Sequence, residues 1–332
     1  MLAKEFDYEL PERLVAVRPP KVRGSSRLLV LDRHSGELED SWYADLAGWL
    51  RPGDLLVLND TRVMRARLMA RLADGREREL VVLEKHEGEP ERVMYRGKLH
   101  AGDKLLVGDV EMRVREILGG GVAEVESAVG LMKLTERAGE VPLPPYLRRE
   151  AEAADVQRYQ TVWAKEMGSA AAPTASLNMT EELLEKLRDK GARVEFLTLH
   201  VGLGTFLPMR SEKVEDHQMH AEWFDLPERT VAEIEQARAE DGRVVALGTT
   251  VARALEYWGQ IGKTRGENDI FIYPGFEFRV VDALITNFHA PRSTVLMLAA
   301  AFAGWDNLRA AYAHAKREEY AFLSYGDSML IC

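Results

Sequence analysis

The sequence predicts an α/β protein: a discontinuous α/β barrel-like or sheet domain with a small antiparallel β-barrel domain inserted into it. Strand-like and helix-like segments alternate after residue 180, which favours parallel strand pairing. Short strand-like runs separated by glycines fill residues 65–141. Apolar runs at 28–32 and 55–58 are typical of further strands in the alternating layer. We therefore expect residues 1–61 and 151–332 to form the α/β domain and residues 62–150 the inserted domain.

The individual elements follow from hydrophobic periodicity and from the glycines and prolines that delimit it. In the inserted region we predict strands at 79–84, 92–95, 104–107, 111–117 and 122–127, and a helical period only at about 130–137. In the second half we predict helices at 181–191 and 227–242 and from about residues 251, 293 and 306. The strands between them are predicted at 194–201, 244–247, 269–273 and 278–285.

Composition limits the class of protein. The chain has 332 residues, of which 46% are hydrophobic and 30% charged, as in a globular enzyme. Its single cysteine, Cys332, excludes an intramolecular disulfide, and the first fifteen residues are too charged for a secretory signal. No apolar run is long enough to span a bilayer. We predict a cytoplasmic protein.

The net charge of −10 argues against a general nucleic-acid binder but not against a local basic surface. Arginines are concentrated at the start of the inserted region, and two more follow later. Because guanidinium groups bind phosphates well, these residues could form such a surface. The alternative is an exposed strand face paired with neighbouring glutamates. These arginines are Arg62, Arg65, Arg67, Arg71, Arg76, Arg78, Arg148 and Arg149.

The most informative segment runs from residue 195 to 206, where a β-branched and aromatic run ends at His200 and enters a Gly-x-Gly turn. Glycines at a strand end let a ligand approach the backbone, and histidine gains or loses a proton near neutral pH. An imidazole beside such an opening suggests a site where a small molecule is bound and a proton is transferred. The alternative is a buried core histidine beside an ordinary turn.

Other polar groups also follow predicted strands. Asn59, Asp60, Thr61 and Arg62 come directly after the strand at 55–58, where Asp60 could act as a base or hold a ribose hydroxyl. A turn or helix cap explains the same residues. The small residues at 168–175, which include Thr174, form either a loop around a ligand or a tight packing corner.

Thr249 lies between a strand and a helix, where it either contributes to a ligand site or caps the helix. His289 and Arg292 occupy a similar turn after the strand predicted at 278–285. Since parallel strands deliver their carboxyl-terminal turns to one edge of a sheet, we expect these clusters to converge.

Residues 217–222 raise the question of a metal site, because His217 and His220 would share one face of a helix, with Glu222 as a third ligand. The neighbouring tryptophan and phenylalanine instead favour a strand, which directs the two rings to opposite faces. We therefore predict no metal.

The ordered motifs of the chain identify it as similar to a known family, the S-adenosylmethionine:tRNA ribosyltransferase-isomerases of queuosine biosynthesis. The blocks that carry this resemblance span nearly the whole length, at 6–11, 23–28, 58–63, 143–146, 159–162, 172–175, 198–206, 217–222, 246–250, 285–289 and 324–330. One departure stands out: the family usually reads Gly-Leu-His-Phe-Thr where this chain has residues 176–180, so Asn178 replaces a histidine. Asparagine can hydrogen-bond but cannot act as a base, and we nevertheless expect activity to be retained.

The resemblance implies a reaction in which S-adenosylmethionine serves as ribosyl donor and substrate, with no cofactor. The acceptor is 7-aminomethyl-7-deazaguanine at the wobble position of tRNA, and the products are epoxyqueuosine-tRNA, adenine and methionine. Such chemistry needs acid–base groups more than a metal or a covalent nucleophile.

On this basis His200 and either His217 or His220 are candidate proton-transfer groups, with Asp60 and His289 as alternates. Arg62 or Arg292 would hold the methionine carboxylate. The residues expected to bind substrate are Asn59, Thr61, Thr174, Gly202, Gly204, Thr205 and Thr249.

The expected partners are tRNA and S-adenosylmethionine but no membrane, and the expected state is a monomer. Two alternatives stay open: a nucleoside-processing enzyme acting on free small molecules, and a non-catalytic tRNA-binding protein.

Overall fold

The computed structural model describes residues 1–83, 90–202, 209 and 211–332. Strands are numbered in chain order as β1 (Arg27–Leu31), β2 (Leu38–Trp42), β3 (Leu55–Asn59), β4 (Thr61–Val63), β5 (Arg67–Leu72), β6 (Glu77–Val82), β7 (Glu91–Tyr95), β8 (Lys104–Val107), β9 (Val110–Gly119), β10 (Val122–Ser127), β11 (Glu166–Ser169), β12 (Arg193–Leu199), β13 (Glu222–Asp225), β14 (Val244–Leu247), β15 (Arg265–Asn268), β16 (Ala283–Asn287) and β17 (Ser328–Ile331). The α-helices are α1 (Leu131–Ala138), α2 (Asp155–Arg158), α3 (Glu181–Asp189), α4 (Glu228–Ala239), α5 (Thr249–Ile261), α6 (Thr294–Ala303) and α7 (Trp305–Arg317).

A mixed sheet organises both ends of the chain. Among the described residues its nine strands lie in the order β15-β13-β12-β3-β14-β16-β17-β1-β2. The central strands β12, β3, β14 and β16 are parallel neighbours. Strand β17 inserts between β16, to which it is antiparallel, and β1, to which it is parallel. The predicted α/β class is confirmed. The large domain was expected to be either barrel-like or an open sheet, and it forms the sheet.

The central strands are buried on both faces, as parallel strands covered by helices must be. Every residue of β3 and β14 is buried. Because side chains alternate along a strand, Leu55 and Val57 join the core that contains Leu255 of α5. Leu56 points to the opposite face of the sheet, where it belongs to a second core with Leu184 of α3. Two hydrophobic cores therefore fix the sheet, one on each face.

The inserted region forms a closed antiparallel barrel with strand order β10-β7-β6-β5-β8-β9. Helix α1 closes it by placing Leu131 and Leu134 in the barrel core. The predicted small β-barrel is thus confirmed, whereas its predicted limits at 62 and 150 stay a prediction. A separate two-stranded ribbon, β4 with β11, runs beside the barrel and pairs Arg62 with Met167.

Two strand predictions are wrong. Residues 269–273 form no strand, and the strand predicted at 278–285 begins only at Ala283. The backbone N–H groups of Arg279, Val280 and Val281 donate to the buried carboxylate of Glu256 at 2.8–2.9 Å. The Glu256 carboxylate therefore accepts the backbone hydrogen bonds that would otherwise go to the carbonyl groups of a neighbouring strand.

Helix starts deliver residues to the carboxyl edge of the sheet. Helix α5 begins directly after Gly248, whose φ of 103° allows the abrupt turn out of β14. Helix α6 begins after Ser293, whose hydroxyl accepts from the Leu296 N–H at 3.2 Å. Within the described ranges, no helix is long and apolar enough to cross a membrane.

Candidate active site

Four neighbouring parallel strands present polar residues at one edge of the sheet. Asp60 directly follows β3 and His200 directly follows β12, while Thr249 and His289 come two residues after β14 and β16. These strands lie in the order β12-β3-β14-β16. With about 4.8 Å between neighbours, the outer two are about 14 Å apart. The convergence of these turns at a common edge is therefore observed.

A cavity opens at this edge of the sheet. It is lined by Thr174, Thr249 and His289 among the predicted residues, and by Val201, which directly follows His200. Alanine, proline and phenylalanine side chains make up much of the remaining wall. An apolar wall with a few converging polar groups is typical of a site for a small molecule.

His289 is a neutral imidazole in this wall. Its Nε2 atom lies 2.8 Å from the Thr286 hydroxyl, and its backbone N–H donates to the Tyr312 hydroxyl at 2.8 Å. Its carbonyl oxygen accepts from the Tyr8 hydroxyl. Burial lowers the pKa of His289 to about 3. The ring can therefore hydrogen-bond to a ligand but carries no proton to give up as an imidazolium.

His200 is held in a fixed orientation just beyond β12. Its Nδ1 lies 2.8 Å from the hydroxyl of Thr61. The indole of Trp223 stacks on the imidazole with a centroid separation of 5.3 Å and an interplanar angle of 17°. A Cβ built on Gly168 would lie 2.6 Å from the His200 ring, so only glycine fits there. The contact with Thr61 orients the imidazole, and Trp223 and Gly168 confine it.

Asn59 and Asp60 have different surroundings. The Asn59 side chain is fully buried; its Oδ1 accepts from the N–H groups of Thr61 and Leu199 at 3.0 and 3.1 Å. It thereby ties the end of β3 to β12. Asp60 is half-buried and accepts from the Thr198 hydroxyl at 2.6 Å. Burial raises the pKa of Asp60, which moves this carboxyl towards the range useful to a base.

Gly202 belongs to the same turn, and its N–H donates to a carboxylate oxygen of Glu222 at 3.0 Å. The other oxygen of Glu222 pairs with the guanidinium of Arg253, and both side chains are buried. Glu222 therefore anchors the turn and is an ion-pair partner.

Gly204 and Thr205 lie outside the described residues. Among the described residues, no group of three His, Cys, Asp or Glu side chains is placed to hold a metal ion.

His217 and His220 precede β13 and lie outside it. The ring of His217 is partly exposed and meets Phe271 edge to face, with centroids 5.2 Å apart. Burial, and then the neighbouring His220, lower the pKa of His217. His220 is exposed. Neither ring lines the cavity at the sheet edge.

The two candidate arginines lie in different places. Arg292 is exposed and sits between Pro291 and Ser293, both of which line the cavity. Its backbone φ of 56° is unusual for a residue with a side chain. Arg62 is exposed on β4 and lines a separate pocket beside the barrel.

Among the cavity residues that the sequence did not suggest as site residues are three with polar side chains, Tyr146, Asn287 and Ser324. Tyr146 reaches the cavity from the loop before α2, where burial raises its pKa to about 12, and its hydroxyl pairs with that of Ser324. Asn287 accepts from the Thr174 hydroxyl at 2.9 Å through Oδ1. All three stand inside the ordered blocks that carry the family resemblance, which is the signal that could have found them.

Asn178, the departure from the family pattern, lies away from the cavity wall. It is buried, accepts from the Ser26 hydroxyl at 2.8 Å and donates to the Gly326 carbonyl at 2.9 Å. A weaker contact reaches the Ser328 hydroxyl at 3.3 Å. The side chain thus joins the start of β1 to the segment leading into β17, which is a structural role.

A sheet whose parallel strands end at a cavity with an apolar wall and converging polar groups is typical of an α/β enzyme that binds a small molecule at the carboxyl edge. Residues 3–331 match the family model described as queuosine biosynthesis protein. The chain belongs to this family.

Its relatives share the whole length of the chain. The S-adenosylmethionine:tRNA ribosyltransferase-isomerases of Pelodictyon phaeoclathratiforme and Chlorobaculum parvum are 56% and 55% identical, each with full coverage of both chains. The enzyme of the same name from Acidithiobacillus ferrooxidans is 47% identical over the whole chain and 98% of the relative.

A crystal structure of S-adenosylmethionine tRNA ribosyltransferase from Thermotoga maritima is 34% identical, with a TM-score of 0.57 and coverage of 99% and 100% of the two chains. The family resemblance and the expectation of an enzyme of queuosine biosynthesis are both confirmed.

Proposed function

We propose that this enzyme transfers and isomerises the ribosyl moiety of S-adenosylmethionine onto 7-aminomethyl-7-deazaguanine at the tRNA wobble position. The products would be epoxyqueuosine-tRNA, adenine and methionine. We further propose a cytoplasmic monomer that uses S-adenosylmethionine as substrate and needs no cofactor.

The observation that carries this proposal is a cavity at the carboxyl edge of the sheet with one histidine in its wall and a second histidine directly before a lining residue. His289 lines the cavity, and Val201 brings the backbone beside His200 to the same wall. The reaction removes protons from the acceptor ammonium and from the carbon next to the sulfonium, and it delivers a hydrogen bond or proton to the departing adenine. Positioned acid–base groups meet these needs.

His200 is the proposed proton-transfer group. Thr61 holds its Nδ1, while Trp223 and Gly168 confine the ring, so the imidazole is oriented before substrate arrives. Asp60, with its raised pKa, is the alternate base at the same edge. His217 and His220 remain proposed as secondary proton-transfer groups.

His289 and its neighbours are proposed to bind the donor. Because the imidazole of His289 is neutral at pH 7, it suits hydrogen bonding to adenine or ribose. Thr174 and Thr249 contribute further polar groups to the cavity wall. Gly202, with Gly204 and Thr205, is proposed to shape the ribose pocket. Arg292, flanked by two cavity residues, is better placed than Arg62 to hold the methionine carboxylate.

The test is incubation of the protein with S-adenosylmethionine and tRNA bearing the aminomethyl base, followed by detection of adenine and of an epoxide-bearing nucleoside by mass spectrometry. We expect both products, and neither with tRNA that lacks the modified base. Equal adenine release with the free modified base would favour the small-molecule alternative. Tight tRNA binding without adenine release would favour the non-catalytic alternative.

The role of His200 is tested by His200→Ala under single-turnover conditions. Loss of a positioned proton-transfer group typically slows a reaction about 10²- to 10⁴-fold, and we expect adenine release to slow by that order. His217→Ala and His220→Ala provide comparisons in the same assay. An unchanged rate in His200→Ala would transfer the role to Asp60, for which Asp60→Asn is the corresponding variant.

A further inference from the structure

The arginines at the start of the inserted region fall into two groups. Four of the six from residue 62 to 78 are engaged: Arg67 pairs with Glu79 and Glu140, Arg71 with Glu77, Arg76 with Asp74, and Arg78 donates to the carbonyls of Lys98 and Glu77. Arg62 and Arg65 are exposed and have no ion pair or side-chain hydrogen bond with any residue that the structure describes. Their guanidinium charges are therefore available to a partner.

An apolar pocket lies between these two arginines and helix α1. Arg62 and Arg65 line it together with Met132, Val156 and Met167. The three apolar side chains are 40%, 48% and 47% exposed, which is unusual for large hydrophobic residues on one surface. We call these five residues the methionine–arginine surface. Flexible methionine side chains adapt to varied planar or apolar ligands.

The methionine–arginine surface adjoins the candidate active site. Arg62 and Met167 are register partners in the β4–β11 ribbon. The next residue of β11, Gly168, lies against the His200 ring. One short ribbon thus carries the surface on its outer side and contacts the proposed proton-transfer group on its inner side.

The chemistry of the surface suits a single-stranded nucleic acid. A base modified in a deep cavity must leave its stack, so the flanking nucleotides need both phosphate contacts and apolar cover. The guanidiniums of Arg62 and Arg65, which pair with no described residue, are complementary to phosphates, and an exposed apolar floor is complementary to an unstacked base. Glu136 also lines the pocket, and its carboxylate would repel a phosphate placed near it.

We propose that the methionine–arginine surface binds the anticodon loop of tRNA, with Arg62 and Arg65 on backbone phosphates and Met132, Val156 and Met167 against a base that neighbours the one entering the cavity. This inference rests on the proposed function, and it places RNA binding on this surface in preference to the paired arginines of the barrel.

The charged contacts are tested by binding of a fluorescent anticodon stem-loop between 50 and 200 mM salt. Each lost phosphate contact lowers the slope of log affinity against log salt by about 0.7 to 0.9. We expect the double variant Arg62→Gln/Arg65→Gln to bind more weakly and to lower the slope by about 1.4 to 1.8. Arg71→Gln, an exposed arginine paired with Glu77, is the matched control and should leave both quantities unchanged.

The apolar contacts have a different signature. Met167→Gln should weaken binding severalfold without altering the salt slope, because no phosphate contact is lost. Met69→Gln is the control, since Met69 is similarly exposed at 41% on the barrel strand β5. Glu136→Gln should strengthen binding, because it removes a negative charge from the wall of the same pocket.

The inference is overturned if the double arginine variant binds the stem-loop with wild-type affinity and slope. It is also overturned if Met167→Gln abolishes self-association in sedimentation experiments without affecting RNA binding, because the surface would then bind a second copy of the chain. The binding assay requires no turnover. Wild-type binding through this surface without adenine release would therefore reject the proposed function and retain the surface.

Discussion

Thr61 and His200 are 139 residues apart in the chain, yet their side chains meet at 2.8 Å in the interior. Thr61 is fully buried, and its neighbour Asn59 holds both the Thr61 N–H and the end of β12. The hydroxyl of Thr61 is therefore held at the His200 ring. At this scale, one buried hydroxyl group contributes to the orientation of the imidazole, together with the indole of Trp223 and the backbone at Gly168.

We expect Thr61→Val to reduce the single-turnover rate of adenine release by about 10- to 100-fold, corresponding to the loss of one buried hydrogen bond. Valine preserves the shape of threonine, so the KM for S-adenosylmethionine should change little. Thr61→Ser keeps the hydroxyl and should retain most of the rate. Equal rates for the valine and serine variants would show that the hydroxyl does not position His200.

His289 makes the stability of the protein sensitive to acid. Its pKa is about 3 in the folded protein, against about 6.5 in an unfolded chain. Between these values the unfolded state binds more protons, so the free energy of unfolding falls by up to about 1.4 kcal/mol per pH unit below 6.5. Above that pH the contribution is complete.

We expect His289→Gln to flatten this dependence, as measured by urea unfolding at pH 7.5, 6.0 and 5.0. Glutamine can still hydrogen-bond to Thr286 but does not titrate. Acid sensitivity as steep as that of the wild type would contradict burial of a neutral imidazole at this position.

Among the elements, the β4–β11 ribbon has the most direct influence on the candidate site. It is short and parallel, and Ser169 at its end accepts the N–H of Val201 at 2.6 Å. The ribbon therefore holds the turn after β12 from one side, while Glu222 of β13 holds it from the other through Gly202.

We expect Gly168→Ala to lower the rate of adenine release at least tenfold while the fold is retained. A Cβ at residue 168 would lie 2.6 Å from the His200 ring, so the ring must shift from its present position. Gly48→Ala is the matched control, because a Cβ there meets no described atom within 4 Å. Circular dichroism would check the fold of both variants, and equal activity of the two would contradict the predicted clash.

The sequence predicts helices and strands well where the apolar periodicity agrees with the residues that begin and end an element. Strand β14 was predicted at its observed bounds, and α3 begins at the predicted position because the Thr180 hydroxyl accepts the N–H of Leu183. Prediction failed at 278–282, where Val280 and Val281 are buried but their N–H groups donate to the Glu256 carboxylate and not to a neighbouring strand. It also missed β17, a four-residue buried strand whose partners are distant in the chain.

The candidate site shows the same limit. Strand-end turns placed His200, Thr249 and His289 at one edge, because every parallel strand delivers its turn there. The contact of Thr61 with His200 and the position of Tyr146 depend on segments that only the tertiary structure brings together. Single-sequence periodicity contains no information on such pairs.

Across the whole molecule, the buried carboxylate of Asp155 connects the segment after the barrel to the segment before β17. Arg149 donates to both carboxylate oxygens of Asp155 at 2.6 and 2.8 Å, and the Tyr325 hydroxyl donates to the same carboxylate at 2.7 Å. Burial alone would raise the pKa of Asp155, but these hydrogen bonds outweigh it and lower the pKa to about 2. Ser324, beside Tyr325, lines the cavity.

We expect Arg149→Met to reduce the free energy of unfolding by about 3–5 kcal/mol, because it leaves a buried carboxylate without its cation. Arg148→Met is the adjacent control: its pair with Glu12 is exposed, at 75% and 81% for the two side chains, and its loss should cost less than about 1 kcal/mol. Urea unfolding of the two variants makes the comparison. Similar losses would contradict the structural role assigned to Arg149.

The insertion of β17 beside β1 has a consequence for biosynthesis. The backbone N–H of Arg27 donates a hydrogen bond to the carboxylate of Asp327, which is synthesised 300 residues later in the chain. At about 5–20 residues per second, the ribosome needs roughly 15–60 s to supply that partner. Throughout this interval the apolar strand β1 has an unpaired edge, which makes the nascent chain a candidate client for chaperones that shield exposed strands.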